Sequence, residues 1–540
     1  MWSGEWYSYM RLQKYISAIV LQMLISSVWA GPALAVFELY DGKLQLSGFV
    51  KNTSYIRTQF NDRAWHKSSP GSSHDSHLDF SNTSFLLEAL YTLRDDDVTV
   101  RLFGGFKYWY EASPRIDDNL RRHIPNRFRK DYIKPRELED VLSELYLDVI
   151  SGPWEVRIGK QIVIWGQLDT NRVADVVNPL DLRWGVPGID SWEEVKRGLW
   201  IIRTFYQSGL PGELRFEFIF NPGDYKMTQL PYTGTHWGPD YYTDVAFVPG
   251  REMGIWSYQD EKWRRDEPSW NLTENYEFGF RVSGYAYGVD WTLLYWNAPS
   301  DGPVIHADRL NAMVTQGYIR PGIRAAITGS SLVPGEWPSH RIFYFKRMQT
   351  IGGTAQTYID WLHRSTWDLE WFYEIGSPMN LAERGQATAV YDWTRKDVFG
   401  AAVKYNDRFV LPRTVRDFLQ TNKKLDLTCT YFWEKVFSHS HDLVLRDRLH
   451  RPGDSVTDGV SLWWKLEAFN SAWALTFIGN YYFRIGAWMA VPMATYYFPE
   501  PLGGLRAEIG YKAYGRKRST SQFTSFDHKD SIILRFRYEF

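Results

Sequence analysis

The sequence predicts an all-β protein: a transmembrane antiparallel β-barrel of roughly 16–18 strands with an inward-folded segment in its lumen. Composition is the first observation behind this prediction. Aromatic residues make up 17% of the 540 residues, yet the hydrophobic fraction is only 44% and the mean hydropathy is −0.39. A membrane barrel has such a composition because its apolar outer band alternates with a polar interior and is rimmed by aromatic side chains. Composition alone also fits a large aromatic-rich β-sandwich or a carbohydrate-binding protein.

The second observation is a repeated alternation of apolar and polar residues. Near the C-terminus, Ile532, Leu534 and Phe536 fall on one parity. Arg535 and Arg537 fall on the other parity. A strand with this pattern has one apolar face and one polar face. Comparable alternation occurs at residues 44–50, 85–94, 98–108, 144–149, 155–158, 213–220, 276–283, 367–374, 461–467 and 505–512.

The third observation is the spacing between these segments. Short turns, such as DDD at residues 95–97 and SGP at residues 151–153, alternate with long polar connections. The long connections cover residues 60–81, 112–138, 221–273, 298–338, 377–394 and 438–456. A membrane barrel has short turns on one side and long loops on the other, so we expect roughly 18 strands and an even number of them.

The N-terminal residues 1–35 have the features of a signal peptide. Arg11 and Lys14 precede an apolar run, and the ALA triplet that ends at Ala35 has the small-residue spacing of a cleavage site. A single N-terminal membrane anchor is the alternative. Export combined with alternating strands predicts the outer membrane of a Gram-negative cell, with residues 36–540 as the mature barrel.

The C-terminal strand predicts how the barrel closes. We expect it to pair with the first strand, near residues 44–55, because no strand edge can face lipid. A terminal aromatic residue on an alternating strand resembles the signal that the barrel-assembly machinery recognises. Phe540 is therefore the candidate assembly signal, and we expect its deletion to lower assembly.

The inward parity carries charges of both signs. The candidate charges of the lumen wall are Arg101, Glu144, Arg157, Arg215, Arg281, Glu370, Arg506, Arg535 and Arg537. Such a mixed wall predicts cross-strand ion pairs that rigidify the barrel. It does not indicate anion or cation selectivity, which requires rings of a single charge.

One stretch breaks the alternation. The pattern stops at Trp165 and Gly166, and the residues that follow are too apolar for a solvated loop. Residues 169–170 are candidate caps of a short helix over residues 171–177. We expect residues 166–190 to fold into the lumen as a constriction or partial plug, with an external cap as the alternative.

The same stretch carries a motif in two parts. G-K-Q-x-V-x-W-G occupies residues 159–166, and D-V-V-N-P occupies residues 175–179. With these residues the chain resembles the family grouped as domain of unknown function 1302, which looks like large outer-membrane barrels of Gram-negative bacteria. Members often accompany RND-type exporters and lipoprotein-carrier-like periplasmic proteins, so the resemblance implies transport of hydrophobic compounds. GQLDTNR departs from the Gly-rich or acidic residues expected after W-G, and the resemblance supplies no catalytic residues.

Seven residues of this stretch are candidates for the constriction. They are Trp165, Gly166, Arg172, Asp175, Asn178, Pro179 and Arg183. Gly166 would let the backbone turn sharply inward as it leaves the strand. Arg172 and Asp175, three positions apart on the predicted helix, would pair with each other or with lumen charges. Structural anchoring of the loop and direct contact with a solute both remain open.

Other patterns limit the classes of function. A formal net charge of −1 gives no basic surface for nucleic acid. Cys429 is the single cysteine, so an intrachain disulfide is excluded. No cofactor, phosphate-binding or catalytic motif is present. His439 and His441 would need a third ligand to hold a metal, and a solvated loop tip is the simpler interpretation.

The resulting hypothesis is a porin-like channel, not an enzyme, for a small solute, with hydrophobic and aromatic compounds included. The expected partners are outer-membrane lipid, the barrel-assembly machinery and the solute. One alternative is an outer-membrane component of an export route, partnered with a periplasmic carrier and an RND-type transporter. Another is an outer-membrane barrel enzyme that acts on lipid or a surface polymer.

Overall fold

The structure is a computed structural model, and it describes most of the chain from Phe37 to Phe540. The described ranges are residues 37–58, 78–117, 132–168, 173–185, 189–190, 192–229, 275–302, 304–305, 343–362, 365–382, 390–440, 443–444, 455–484, 486–516 and 529–540. The predicted signal peptide, residues 1–35, and the predicted helix cap at residues 169–170 lie outside the described residues.

Strands make up 67% of the structure. They are β1 (Phe37–Leu39), β2 (Leu44–Arg57), β3 (Leu78–Asp95), β4 (Thr99–Glu111), β5 (Leu142–Ser151), β6 (Trp154–Gln161), β7 (Leu199–Gln207), β8 (Arg215–Asn221), β9 (Glu277–Ala286), β10 (Val289–Pro299), β11 (Val304–Ile305), β12 (Phe343–Tyr344), β13 (Arg347–Ile359), β14 (Ser365–Ala382), β15 (Val390–Phe409), β16 (Leu425–Val436), β17 (Leu443–Val444), β18 (Val456–Ala468), β19 (Trp473–Tyr482), β20 (Ala487–Tyr497), β21 (Leu505–Arg516) and β22 (Ser531–Glu539).

Helices are short in this part of the chain. They are α1 (Ser113–Ile116), α2 (Leu138–Val141), α3 (Trp192–Val195) and α4 (Arg413–Phe418). Among the described residues, no helix has the length and apolar character that crossing a membrane would require.

The strands form one closed barrel, which confirms the predicted fold class. The main sheet contains 20 strands, and two of them, β1 and β17, are short additions that pair with β2 and with β14. The remaining 18 strands pair antiparallel with their neighbours in chain order. The ring closes between β2 and β22, where Phe49 lies opposite Glu539 and Arg57 lies opposite Ser531. The first and last wall strands therefore pair as the sequence predicts.

The closing seam continues beyond the end of β22. The backbone N–H of Phe540 donates to Gly48 O at 3.1 Å, and Gly48 N–H donates to Phe540 O at 2.9 Å. β1 then pairs with the next residues of β2, with Phe37 opposite Leu46. The ring centroid of Phe540 lies 6.3 Å from those of Phe37 and Phe85. Phe540 is thus part of the seam in both its backbone and its side chain.

The two faces of the wall differ as the alternation predicts. On β8 and β9, the outward side chains Phe216, Phe218 and Phe280 are exposed. Glu217, between the first two, is buried on the other face. This is the arrangement of a barrel with an apolar outer surface and a polar interior.

The connections also divide between the two ends of the barrel. A two-residue turn joins β9 to β10, whereas 37 residues join β6 to β7 at the opposite end, counting from Ile162 to Gly198. At the long-loop end, some strands are longer than the sequence predicts. Residues 377–382 and 390–394, predicted as loop, belong to β14 and β15, because these strands stay paired from Ser377–Lys396 to Ala382–Val390 after a bulge.

Candidate functional site

The connection from β6 to β7 folds into the barrel, as predicted, and is called the inserted segment below (residues 162–198). It is longer than the predicted range of residues 166–190. Of these residues, the structure describes 162–168, 173–185, 189–190 and 192–198. Its side chains join three apolar clusters, each of which includes wall strands from a different part of the ring.

These clusters show how widely the segment is supported. Val163, Trp165, Ala174 and Val177 cluster with β7, β8 and β10 through Leu199, Ile201, Ile219, Leu294 and Trp296. Leu168 and Val173 cluster with β14, β15 and β16 through Phe372, Val398, Ala402 and Phe432. Ile189 clusters with β2, β3, β19, β20 and β22 through Tyr55, Phe80, Ile478, Met489 and Ile533. The segment therefore crosses the lumen.

Asn178 joins the two ends of the inserted segment. Its side-chain Oδ1 accepts a hydrogen bond from Val163 N at 2.6 Å. Its Nδ2 donates to Gln161 O at 3.2 Å and to Arg197 O at 2.8 Å. Because Asn178 is fully buried, one amide side chain satisfies backbone groups where the chain leaves β6 and where it returns to β7.

Pro179 and Asp175 complete this junction. Arg197 N–H donates to Pro179 O at 2.9 Å. Asp175 Oδ1 accepts a hydrogen bond from Trp165 N at 3.3 Å, and its Oδ2 lies 2.6 Å from Lys196 Nζ. The D-V-V-N-P element thus links the chain that leaves β6 to the chain that returns to β7.

Trp165 connects the inserted segment to charges of the wall. Its indole Nε1 donates to Glu217 Oε1 at 3.1 Å. Glu217 also accepts from Arg203 Nε at 2.6 Å and pairs with Arg281 Nη2 at 2.8 Å. The Arg281 guanidinium lies 6.0 Å from the Trp165 ring centroid. Trp165 is 1% exposed, so it serves as a buried attachment rather than an open contact surface.

Glu370 on β14 is the acceptor for a second attachment. Its carboxylate accepts hydrogen bonds from the backbone N–H groups of Gln167, of Leu168 at 2.9 Å and of Ala174 at 2.9 Å. Lys404 Nζ on β15 donates to Gln167 O at 2.9 Å. These bonds hold the segment to strands that are not neighbours of β6 or β7.

Gly166 allows this close approach. A Cβ at Gly166 would lie 2.9 Å from Asp175 Cβ and 3.3 Å from Glu370 Oε2. A side chain at this position would therefore push Asp175 away from Glu370 on the wall.

A third attachment is made of ion pairs with β2 and β22. Asp190 pairs with Lys51 at 3.3 Å and with Arg535 at 2.8 Å. Glu194 on α3 pairs with Lys51 and, at 2.8 Å, with Arg537. Two of the predicted wall charges, Arg535 and Arg537, thus hold the inserted segment rather than line an open wall.

The charges around Glu194 keep it ionised. Burial raises the pKa of its carboxyl group, but the charges of Lys51 and Lys107, a hydrogen bond from Lys51 and the charge of Arg537 outweigh burial and hold the pKa well below its ordinary value. Lys107 Nζ on β4 also donates to Glu194 O. We therefore expect the ion-pair attachment to persist in mild acid.

Arg183 lies between these attachments. Its guanidinium makes two hydrogen bonds with the carboxylate of Asp181, at 2.8 and 2.6 Å, and lies 5.3 Å from the Trp184 ring centroid. Burial raises the pKa of Asp181, but the charges of Arg183 and Arg197 and the hydrogen bonds from Arg183 hold it below its ordinary value.

Most of the other predicted wall charges also have partners. Arg157 pairs with Asp148 at 3.3 Å and Glu155 at 2.8 Å, and Arg215 pairs with Glu155 at 2.9 Å. Arg215 and Arg157 lie 4.1 and 6.0 Å from the ring centroid of Phe205. Arg203, which the sequence analysis missed, lies 4.5 Å from the same ring. An arginine cluster thus surrounds an aromatic ring on β7.

The last three predicted charges lie elsewhere on the wall. Glu144 Oε1 accepts a hydrogen bond from Ile162 N at 2.7 Å, where the segment begins. Arg506 pairs with Glu508 at 3.2 Å. Arg101 lies opposite Asp148 in the pairing of β4 with β5.

The predicted helix over residues 171–177 is wrong for the part that the structure describes. Residues 173–177 form bends and irregular chain. The physical reason is that Glu370 takes the N–H of Ala174 and that Asp175 turns to Lys196 and Trp165. Arg172, the predicted partner of Asp175, lies outside the described residues, as does His441.

Three residues of the attachments were not site candidates: Lys51, Lys196 and Glu217. The sequence could not predict their contacts, because these contacts join residues that are distant in the chain. The only signal in the sequence was the position of Glu217 on the inward face of its strand. The described residues contain no group of three or more metal-ligating side chains.

The chain is similar to one protein family and to several solved structures. A family described as "Protein of unknown function (DUF1302)" matches residues 17–490. Curated proteins give no match. Among solved structures, the chain is similar to OccAB3 of Acinetobacter baumannii, with a TM-score of 0.44 and 9% identity over 92% of this chain and 99% of that one.

Two further solved structures are similar to the same extent. OpdK of Pseudomonas aeruginosa with vanillate has a TM-score of 0.43 and 8% identity, over 92% of this chain and 98% of that one. A BenF-like porin from Pseudomonas fluorescens Pf-5 has a TM-score of 0.44 and 9% identity, over 93% of this chain and 99% of that one.

Proposed function

The chain belongs to the DUF1302 family of proteins of unknown function, and we propose that it is an outer-membrane channel whose lumen the inserted segment narrows. The observation that carries this proposal is the attachment of residues 162–198 to distant parts of the barrel wall. A closed barrel with apolar outward side chains supports a membrane location, because such a barrel leaves no strand edge in lipid.

The width of the barrel supports a channel rather than a filled core. Barrels of about 16–18 strands leave an aqueous channel unless something occupies it. The inserted segment occupies part of that space, and its hydrogen bonds to Glu370 and its ion pairs with Arg535 and Arg537 hold it in place. In this proposal the segment sets the width of the path and does no chemistry.

Small solutes, hydrophobic and aromatic compounds included, are the proposed cargo. Support comes from the arginine cluster around Phe205, in which the side chain of Arg215 is 41% exposed. An exposed guanidinium pairs with carboxylates and stacks on aromatic rings, so it would attract acidic aromatic solutes. Two further points remain predictions. One is a partnership with a periplasmic carrier and an RND-type exporter, and the other is recognition by the barrel-assembly machinery.

Conductance in planar lipid bilayers tests the proposal. We expect stepwise currents from the purified wild-type protein and larger steps after deletion of residues 169–181, because the deletion removes part of the constriction. Barrel formation of both proteins is verified by the gel shift between heated and unheated samples. Absence of conductance in both proteins, with intact barrels, would show that the lumen is closed and that the channel proposal is wrong.

A further inference from the structure

Two cations share one tryptophan ring near the long-loop end of β15. Lys346 Nζ lies 5.3 Å from the ring centroid of Trp393, and the guanidinium carbon of Arg395 lies 5.9 Å from it. Arg395 Nη1 also donates to Arg347 O at 3.0 Å, and Lys346 Nζ lies 4.9 Å from the ring centroid of Tyr344. These contacts hold two positive charges on one ring although like charges repel each other. Lys346 and Arg395 are called the cation pair below.

The cation pair has no carboxylate partner in the part of the chain that the structure describes. Neither Lys346 nor Arg395 makes an ion pair there, and Arg395 is exposed. Asp397 lies two positions further along β15, but its two oxygens already accept from Gly376 N at 2.9 Å and from Tyr373 Oη at 3.0 Å. The cation pair therefore differs from most charges of the lumen wall, and its N–H donors can reach a group outside the chain.

The ring and Arg395 lie on the outer face of the wall. Side chains alternate between the two faces along β15, and Val398, which packs in one cluster with the inserted segment, marks the inward face. Trp393 and Arg395 have the opposite parity, as have Phe399 and Val403, and Val403 is exposed. The outward face of β15 thus carries a cation at the long-loop end and apolar side chains further along the strand.

We propose that the cation pair binds a phosphate group of a lipid in the outer leaflet of the membrane. The long loops of a membrane barrel lie on the extracellular side, so this end of β15 reaches the outer leaflet. A phosphate accepts charge-assisted hydrogen bonds from an ammonium and a guanidinium group together, and the acyl chains of the lipid would lie on the apolar face at Phe399 and Val403. A free anion would use the cations but not this apolar face. The inference requires that the barrel lies in a membrane, as the proposed function does, but not that a solute passes through it.

Native mass spectrometry of the full-length protein in detergent tests the site, with lipid A as the probe. We expect the wild type to bind lipid A with two phosphates about tenfold more tightly than lipid A without phosphate, because a hydrogen bond to a charged group is worth about that factor. Inorganic phosphate at the same concentration should not displace the bound lipid, because it has no acyl chains. Equal binding of the two lipids, or displacement of the lipid by inorganic phosphate, would overturn the proposal without any variant.

A double variant locates the phosphate on the cation pair. Lys346→Gln combined with Arg395→Gln removes both charges, and we expect it to bind the phosphorylated lipid A about tenfold more weakly than the wild type. Arg408→Gln is the matched control, because Arg408 lies at the other end of β15, has a side chain 76% exposed and pairs with Asp426. The gel shift between heated and unheated samples verifies that each variant forms a barrel. Wild-type binding by the double variant, or an equal loss in Arg408→Gln, would overturn the proposal. Neither measurement records conductance, so failure here leaves the channel proposal untouched.

Discussion

The carboxylate of Glu370 on β14 accepts a hydrogen bond from the backbone N–H of Ala174, with 2.9 Å between Ala174 N and Glu370 Oε2. Ala174 lies in the connection between β6 and β7, on a different part of the ring. With the bonds from Gln167 and Leu168, this contact makes the Glu370 carboxylate an anchor for the backbone of the inserted segment. Glu370 is fully buried, so the anchor is protected from water.

Replacement of Glu370 by alanine is expected to loosen the inserted segment. Three backbone N–H groups would lose their acceptor, and each costs about 1–3 kcal/mol if it stays buried. The segment should therefore leave β14, and single-channel conductance should rise severalfold with more frequent fluctuations. Asp290→Ala removes an exposed carboxylate at the start of β10 and is the control. Equal conductance of Glu370→Ala and wild type would contradict the anchoring role.

Gly166→Ala is expected to destabilise the barrel. The added Cβ would meet Asp175 Cβ at 2.9 Å, and overpacking of this kind costs about 1–3 kcal/mol. Gly209→Ala is a matched control, because nothing lies within 4 Å of a Cβ at that position. The measurement is the urea midpoint of the folded, heat-sensitive band on gels. A midpoint for Gly166→Ala no lower than that for Gly209→Ala would show that the segment adjusts without cost.

Asn178→Ala is expected to lower stability by about 2–4 kcal/mol, the sum of three lost hydrogen bonds at their usual values. The affected groups are Val163 N–H and the carbonyl groups of Gln161 and Arg197. Gln45→Ala removes a side-chain amide whose contact with Glu38 is exposed and 3.5 Å long, so it should leave stability unchanged. Unfolding midpoints in denaturant compare the two variants. If both variants have the same unfolding midpoint as the wild type, Asn178 does not stabilise the junction between the two ends of the segment.

The alternation of residues was sufficient to predict the barrel and the direction of many side chains. Side chains of a strand alternate between faces with a period of two, so the inward position of Arg535 could be predicted from its neighbours alone. The break at Trp165 and Gly166 likewise locates the inserted segment within a few residues.

The attachments of the segment could not be predicted in the same way. Lys51 and Glu194 are 143 positions apart, and only the register of the closed barrel brings them together. The predicted helix failed for a related reason: local propensity favours it, but a hydrogen bond from Ala174 to the distant Glu370 overrides that propensity. The motif in residues 175–179 indicated that the region matters, but not that Asn178 joins both ends.

The ion pairs of Glu194 predict a specific pH dependence. Because its folded pKa is depressed, these pairs contribute stability above the ordinary glutamate pKa of about 4.3, and the contribution is lost only as pH falls through the depressed value. Glu194→Gln should therefore lower stability by on the order of 3 kcal/mol between pH 7 and 5. The difference from wild type should shrink as the pH falls below about 4.

Thermal unfolding of wild type and Glu194→Gln at each pH measures this difference. Asp96→Asn is the control: its pairing with Arg94 is exposed at the β3–β4 turn, and such pairs contribute little. A constant difference between wild type and Glu194→Gln down to pH 3 would mean that the carboxylate is not responsible. A difference that grows as pH falls would reverse the predicted sign.

Deletion of Phe540 is expected to reduce barrel assembly severalfold. The deletion removes the two backbone hydrogen bonds with Gly48 and the ring beside Phe85 and Phe37, all at the seam where β22 meets β2. Phe540→Ala keeps the backbone bonds and removes the ring, whereas Phe540→Tyr keeps both. If the aromatic ring is the assembly signal, Phe540→Ala should assemble as poorly as the deletion and Phe540→Tyr should match the wild type. Yields of the heat-modifiable barrel from outer-membrane fractions measure this order, and wild-type yield from the deletion would exclude any role of Phe540 in assembly.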